Sequence, residues 1–204
     1  MNSNEALRLW RTVATLERSR RLGKGLPVVW FVTDPERTPD PVAIAARLPR
    51  GCGIIYRHFG AEDATVIAQA LAAIARERKQ VLLIGADAAL AEEVGARGVH
   101  LPERMMGDVR RLKARYPHWI ATVAAHSPRA VRRAHAAGAD AALLSKVFPS
   151  FGPSTGTPLK PVRLAAMAVN SPLPIFALGG VNESTAPRLI GTGITGFAAI
   201  DAFR

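Results

Sequence analysis

From residue 27 onward, short runs of β-branched and aliphatic residues alternate with Ala/Arg-rich stretches whose apolar positions recur with helical period. Runs that are apolar throughout suit strands buried on both faces, and helical stretches between them suit crossover connections, so the pattern predicts repeated βα units with parallel strands. Eight strand candidates stand at 28–33 (VVWFVT), 53–57 (GIIYR), 80–85 (QVLLIG), 98–101 (GVHL), 119–124 (WIATVA), 140–145 (DAALLS), 173–178 (LPIFAL) and 196–201 (GFAAID). Helices are predicted at 41–48, 62–78, 87–94, 106–115, 128–137, 160–169 and 183–191. Asp87, Ser127 ahead of Pro128, and Asn182 ahead of Glu183 supply N-cap side chains. The joints Gly95-Ala96-Arg97-Gly98, Gly138-Ala139-Asp140 and Gly193-Ile194-Thr195-Gly196 repeat one helix-to-strand device, as expected of a unit used several times.

Eight βα units in one domain predict an α/β fold of the (β/α)8 TIM-barrel type, with a doubly wound open sheet as the alternative. The chain is shorter than the roughly 250 residues usual for the barrel, and the last residue, Arg204, follows directly on the eighth strand candidate, so the eighth helix is expected to be lacking. An extra N-terminal helix over 4–18, with Leu7, Trp10, Val13 or Ala14, and Leu16 on one face, is expected to cover the slot beside strands eight and one. This divides the chain into a basic N-terminal helix and linker, 1–26, and a barrel domain, 27–204.

Composition narrows the class. With 204 residues, 49% of them apolar and 21% charged, the chain supports one sizeable core, which excludes wholesale disorder. A lone Cys52 makes no internal disulfide, no apolar run approaches a membrane span, and Glu5, Arg8 and Arg11 interrupt any signal-like segment; a cytoplasmic protein is expected. The formal net charge of +11, from 27 basic and 16 acidic residues, points to anionic ligands. Residues 1–26 hold +4 of it, and the remainder reads as thinly basic throughout.

In a barrel of this type the chemistry sits just past the C-terminal ends of the strands. Gly179-Gly180, followed by Val181-Asn182-Glu183, is a candidate phosphate turn, since glycine lets backbone N–H groups approach an anion; the plainer reading is a tight connection. Arg57 ends the second strand and is read as phosphate-pairing, or else as part of a structural salt bridge. Lys146 follows the sixth strand and serves either as an acid/base or as a solvated, phosphate-pairing cation. His126, after the fifth strand, is either functional or a structural hydrogen-bonding group. His58 and His100 are expected to pack or hydrogen-bond within the barrel, Asp34 to orient loops or cap a helix, and Cys52 to be an inert thiol. The histidines lack zinc-ligand spacing, so no metal ligands are assigned.

Val32-Thr33-Asp34, Tyr56-Arg57, Gly98-Val99-His100-Leu101, Ala125-His126-Ser127, Ala137-Gly138-Ala139-Asp140, Val147-Phe148-Pro149-Ser150 and Ala177-Leu178-Gly179-Gly180-Val181 occur in order over seven strands. In this succession the chain resembles the thiamine phosphate synthase and TenI (thiazole tautomerase) family from about residue 28 to its end. The resemblance implies attack of a thiazole phosphate on a pyrimidine cation after magnesium-assisted loss of pyrophosphate. It also implies phosphate binding by Ser150 with Arg57, Gly179 and Gly180. Against the family pattern, Ile55-Tyr56-Arg57-His58-Phe59 keeps only the Arg of a Gln-x-Arg-Glu-Lys run. Gly85-Ala86 replaces Asn-Asp, and Met105 falls where a second metal carboxylate is expected. The implied metal and pyrophosphate site is therefore degenerate, with Asp87 and Glu103 as the available substitutes; magnesium is expected as a cofactor only where the synthase reaction is retained. The tautomerase branch shares Leu101-Pro102 and places a proton-transferring His where Lys146 stands.

Three classes of function follow. The first is a thiamine-biosynthesis enzyme, synthase or thiazole phosphate tautomerase, using Lys146 and His126 as proton carriers. The second is a non-catalytic barrel that binds a phosphorylated ligand. The third, nucleic-acid binding through the N-terminal arginines, is disfavoured because that segment lacks interleaved aromatics. The partner expected is a small phosphorylated substrate, with no nucleic acid, no membrane, and a homodimer as the oligomer to test.

Overall fold

The structure is a computed structural model and describes residues 3–19, 25–150 and 157–203. Eight parallel strands close in sequential order: β1 Val29–Val32, β2 Gly53–Tyr56, β3 Val81–Gly85, β4 Gly98–Leu101, β5 Ile120–Ala125, β6 Ala141–Leu144, β7 Ile175–Ala177 and β8 Gly196–Ala199. β8 closes on β1 through the pairs Val29 with Phe197 and Phe31 with Ala199. The closed barrel replaces the open-sheet alternative, and every strand lies within two residues of its predicted bounds.

The outer layer consists of α2 Pro41–Arg47, α3 Ala64–Glu77, α4 Ala88–Glu93, α5 Asp108–Arg115, α6 Pro128–Ala137 and α7 Lys160–Val169, preceded by α1 Ser3–Ser19. Asp87 accepts from the Leu90 N–H at 2.9 Å and Ser127 from the Ala130 N–H at 3.1 Å, so two of the three predicted helix caps form. The helix expected over 183–191 does not form as an α-helix; only a 3-10 turn, Ala186–Leu189, is present. Asn182 and Thr185 cap the turn reciprocally and Ala186 N–H donates to the Asn182 carbonyl at 2.8 Å, but Pro187 has no N–H to continue the ladder to Glu183. The helix expected over 106–115 begins two residues later, as α5, and a separate 3-10 turn, Glu103–Met105, stands ahead of it.

Past β8 comes a 3-10 turn, Asp201–Phe203, and among the described residues no α-helix follows it. The slot is covered by α1: Trp10 stacks on Phe203 at 6.4 Å, and Phe203 in turn meets Phe31 of β1 edge-on at 6.0 Å. The buried face of α1 is Leu9, Thr12 and Leu16, flanked by Trp10 and Val13, whereas Leu7 is 48% exposed. Leu7 therefore does not belong to the packing face. The helix meets the barrel about one position away from the predicted stripe, because Leu9 rather than Leu7 points at the core.

Inside the barrel, Trp30, Val32, Ile55, Leu83, Leu143 and Phe176 fill the lumen. Trp30 and Phe176 meet edge-to-face at 6.1 Å. The Trp30 indole lies where a Cβ on Gly53 would project, so β2 can pass only as glycine. Gly53→Ala is thus expected to destabilise the barrel by about 1–3 kcal/mol through overpacking, read as a shift of the denaturation midpoint. An unchanged midpoint would show that the Trp30 ring has room to turn aside.

Candidate active site

The C-terminal ends of the strands surround a cleft of ≈ 270 Å³ whose lining includes Arg37, Arg57, Ser145, Ser150, Gly179, Gly180, Asn182 and Asp201. Four of the residues singled out from sequence thus share one wall-to-wall space: Arg57, Ser150, Gly179 and Gly180. Lys146 and His126 do not line it. His126 is exposed and lines a separate groove between α6 and α7, although its Nδ1 donates to the Ser145 carbonyl at 2.9 Å, one step from the cleft. A carbonyl oxygen only accepts, so this bond assigns the proton to Nδ1 and leaves Nε2 of the neutral ring as the basic nitrogen. The Lys146 ammonium group has no hydrogen-bond or ion-pair partner among the described residues, and its Cβ stands against Gly179.

Gly179 and Gly180 both have positive φ, 95° and 64°. A Cβ on Gly179 would come within 2.6 Å of the Lys146 Cβ, and one on Gly180 within 2.8 Å of the Phe148 Cβ and against the Pro149 carbonyl. The loop after β7 is therefore pressed onto the loop after β6, and glycine is required by that contact as well as by the backbone angle. The same turn leaves the N–H groups of Gly179, Gly180 and Val181 without acceptors among the described residues, while Asn182 N–H is taken by Thr185 Oγ1 at 2.9 Å. Successive free amides in a left-handed turn form an anion-binding concavity, which needs no helix N-terminus behind it.

Opposite this turn lies a charged network. Arg57 Nε donates to the Thr33 carbonyl at 2.8 Å and Nη2 to Asp34 at 3.3 Å, while its own N–H donates to Thr33 Oγ1 at 2.8 Å. Arg37 donates to Asp34 at 3.0 Å and to Asp201 at 3.3 Å. Burial alone would raise the Asp34 carboxyl, but the Arg37 side chain and backbone N–H, with the charges of Arg37 and Arg57, hold it below its ordinary value. Burial lowers Arg57, Asp34 opposes that, and the neighbouring Arg37 charge adds to it. The salt-bridge reading of Arg57 is met, since its side chain is held by Thr33 and Asp34, and the same residue lines the cleft. Asp34 proves to be the centre of an ion-pair network rather than a helix cap.

Below the cleft His100 is buried, with Nδ1 2.9 Å from Thr122 Oγ1. Burial, with the Arg57 charge adding to it, pushes its pKa down to about 3, so it is a neutral structural group. His58 faces Asp87 at 3.4 Å. Burial pushes the Cys52 thiol up to about 12, which makes it inert at neutral pH. The donor set does not fit a magnesium site. Asp87 is engaged as the α4 cap and by His58, Gly85 and Ala86 offer no side-chain oxygen, and among the described residues no three His, Cys, Asp or Glu side chains gather.

Arg37 was not legible as a site residue. Its only sequence signal is its place three residues after Asp34 in a turn, where Asp34 accepts the Arg37 N–H at 3.2 Å. In a shifted register of the family's phosphate-binding run after β6, Thr155, Thr157 and Lys160 would serve instead; Thr155 lies outside the described residues, Thr157 lines the groove between α6 and α7, and Lys160 opens α7.

The family described as thiamine monophosphate synthase (TMP-TENI) matches residues 29–203. Thiamine-phosphate synthase of Chlorobium limicola is 29% identical over 180 residues, covering 86% of this chain and 85% of that protein. The Marinobacter nauticus thiamine-phosphate synthase is 32% identical, covering 82% of this chain and 78% of its own. A solved structure of thiamine phosphate pyrophosphorylase from Pyrococcus furiosus superposes with a TM-score of 0.74 at 24% identity, covering 84% of each chain, which shows the shared fold.

Proposed function

Since the chain belongs to the thiamine monophosphate synthase family, we propose that its barrel mouth takes a thiazole phosphate through the ester's phosphate, as a divergent synthase-type protein of thiamine biosynthesis. The observation that carries this reading is the run of three acceptor-free amides at Gly179, Gly180 and Val181 facing the same cleft as Arg57 and Arg37. Amide N–H groups receive phosphate oxygens, the Ser150 hydroxyl adds a donor, and the guanidinium groups across the cleft balance the charge. Asp34 and Asp201 hold those guanidinium groups in place and keep the cleft from being uniformly positive, which favours a monoester over a longer polyphosphate.

The half of the synthase reaction that needs a metal-held pyrophosphate has no matching donor set among the described residues. What remains is phosphate-directed binding, with Lys146 and His126 as the groups able to move a proton near the rim. In the His126 ring Nε2 is the nitrogen left free, since Nδ1–H donates to the Ser145 carbonyl. A tautomerase-type reaction on the bound thiazole is the second reading, and the free Nε2 is the observation that favours it.

Calorimetric titration separates phosphate-directed binding from general affinity. The phosphorylated thiazole is expected to bind at least ten times more tightly than the thiazole alcohol, about 1.4 kcal/mol or more. Equal affinities for ester and alcohol would remove the phosphate from the site.

A further inference from the structure

The net charge is not spread thinly once it is placed on the fold. Residues 104–170 carry eleven basic and two acidic side chains, a net of +9 out of the whole chain's +11, while residues 27–103 carry −2. That segment builds the α5–α6–α7 side of the barrel. Its two acids are both engaged: Asp108 by Arg111 at 3.0 Å and Asp140 by Lys113 at 3.0 Å. Arg129, Arg132 and Arg133 occupy one exposed stripe of α6, opposite the buried Ala130, Val131 and Ala134, and none has an acidic partner among the described residues. Arg110 joins Arg133 along the groove between α5 and α6, and Arg163 joins Arg132 along the ≈ 670 Å³ groove between α6 and α7; neither groove includes an Asp or Glu.

We propose that this side of the barrel is a docking face for the phosphodiester backbone of nucleic acid, read without base specificity. Three observations select that occupant. Eight of the eleven cations are Arg, including all five on the stripe and its two grooves, and the planar fork of Arg matches phosphate oxygens. The outer faces of α5 and α6 carry no large exposed apolar side chain, and the two on α7 are valines, Val162 and Val169. A lipid surface would need Trp, Phe or Leu anchors there, and a protein interface a buried aromatic or aliphatic centre. A second copy applied face to face would bring like charges together. The absence of interleaved aromatics in the N-terminal segment does not bear on this face, because backbone binding rests on phosphate contacts rather than on base stacking.

The test is fluorescence anisotropy with a labelled duplex DNA of about 20 base pairs and the full chain. Binding at low salt is expected, with log Kobs falling against log salt at a slope of about −3 to −4 for roughly four neutralised phosphates. The variant R129E/R132E/R133E is expected to bind at least 10-fold more weakly with a shallower slope. R8E/R11E and thiazole phosphate binding by the triple variant are expected to be unchanged, which separates this face from the barrel mouth. Should the triple variant lose its melting transition, R132Q/R163Q replaces it, with a severalfold loss expected. A slope near zero, equal affinity of the face variants and the parent, an equal loss in R8E/R11E, or capture by phosphatidylserine vesicles without capture by duplex would each overturn the assignment.

Discussion

Arg57→Ala should weaken thiazole phosphate binding by roughly 10- to 100-fold, the ~1.5–3 kcal/mol of a hydrogen bond to a charged group. The loss has two parts. The cleft gives up a guanidinium, and Asp34, now paired with Arg37 alone, presents more of its negative charge to the incoming ester. Arg57→Lys should recover little, since an ammonium group cannot reach the Thr33 carbonyl and Asp34 from one planar fork while still facing the cleft. Titration of both variants decides the matter, and parent-like affinity in Arg57→Ala would leave Arg57 a structural ion pair only.

The second large effect is on stability against acid. His100 titrates near 6.5 when unfolded and at about 3 when folded. The unfolded chain therefore gains a proton that the folded barrel refuses. The stability this group contributes is complete above pH 6.5 and is lost as the pH falls toward 3. Between pH 6.5 and pH 5 the cost is about 2 kcal/mol, at 1.36 kcal/mol per unit. Asp34, held below its ordinary carboxyl value, contributes in the same direction, but only at lower pH. Denaturant midpoints at pH 7.5, 6 and 5 should fall steadily for the parent and much less for His100→Gln, which retains a hydrogen-bonding group beside Thr122. Identical slopes for both proteins would assign the acid sensitivity elsewhere.

The strands were legible because a parallel barrel buries both faces of each one, so runs such as VVWFVT and AALL carry no competing polar alternation. Their C-terminal ends place Arg57, Gly179 and Gly180 at the mouth, and the family resemblance adds Ser150; all four line the one cleft. Other features depend on choices that one-dimensional pattern does not contain. Leu7 and Leu9 are both apolar positions of an amphipathic helix, and the fold buries Leu9 while leaving Leu7 48% exposed. The segment after β7 has helical spacing and a capped start, but Pro187, with no N–H to donate, leaves it a 3-10 turn. Arg37 entered the site through a turn that folds back on Asp34. The basic face of α5–α7 escaped a linear reading because its arginines are dispersed along the chain and converge only when neighbouring helices are laid side by side.

The proposed barrel mouth binds phosphate at the Gly179-Gly180 turn and, among the described residues, lacks the donor set for a metal-held pyrophosphate. The direct test is formation of thiamine phosphate by the pure protein from thiazole phosphate and pyrimidine pyrophosphate, with magnesium and with a chelator, in the parent and in Lys146→Ala and His126→Ala. The expected result is weak or absent synthesis that magnesium does not raise, alongside retained thiazole phosphate binding, with any residual proton-transfer activity reduced by either substitution. Robust magnesium-dependent synthesis, unaffected by either substitution, would contradict the account and place Asp87 and Glu103 in a rebuilt metal site.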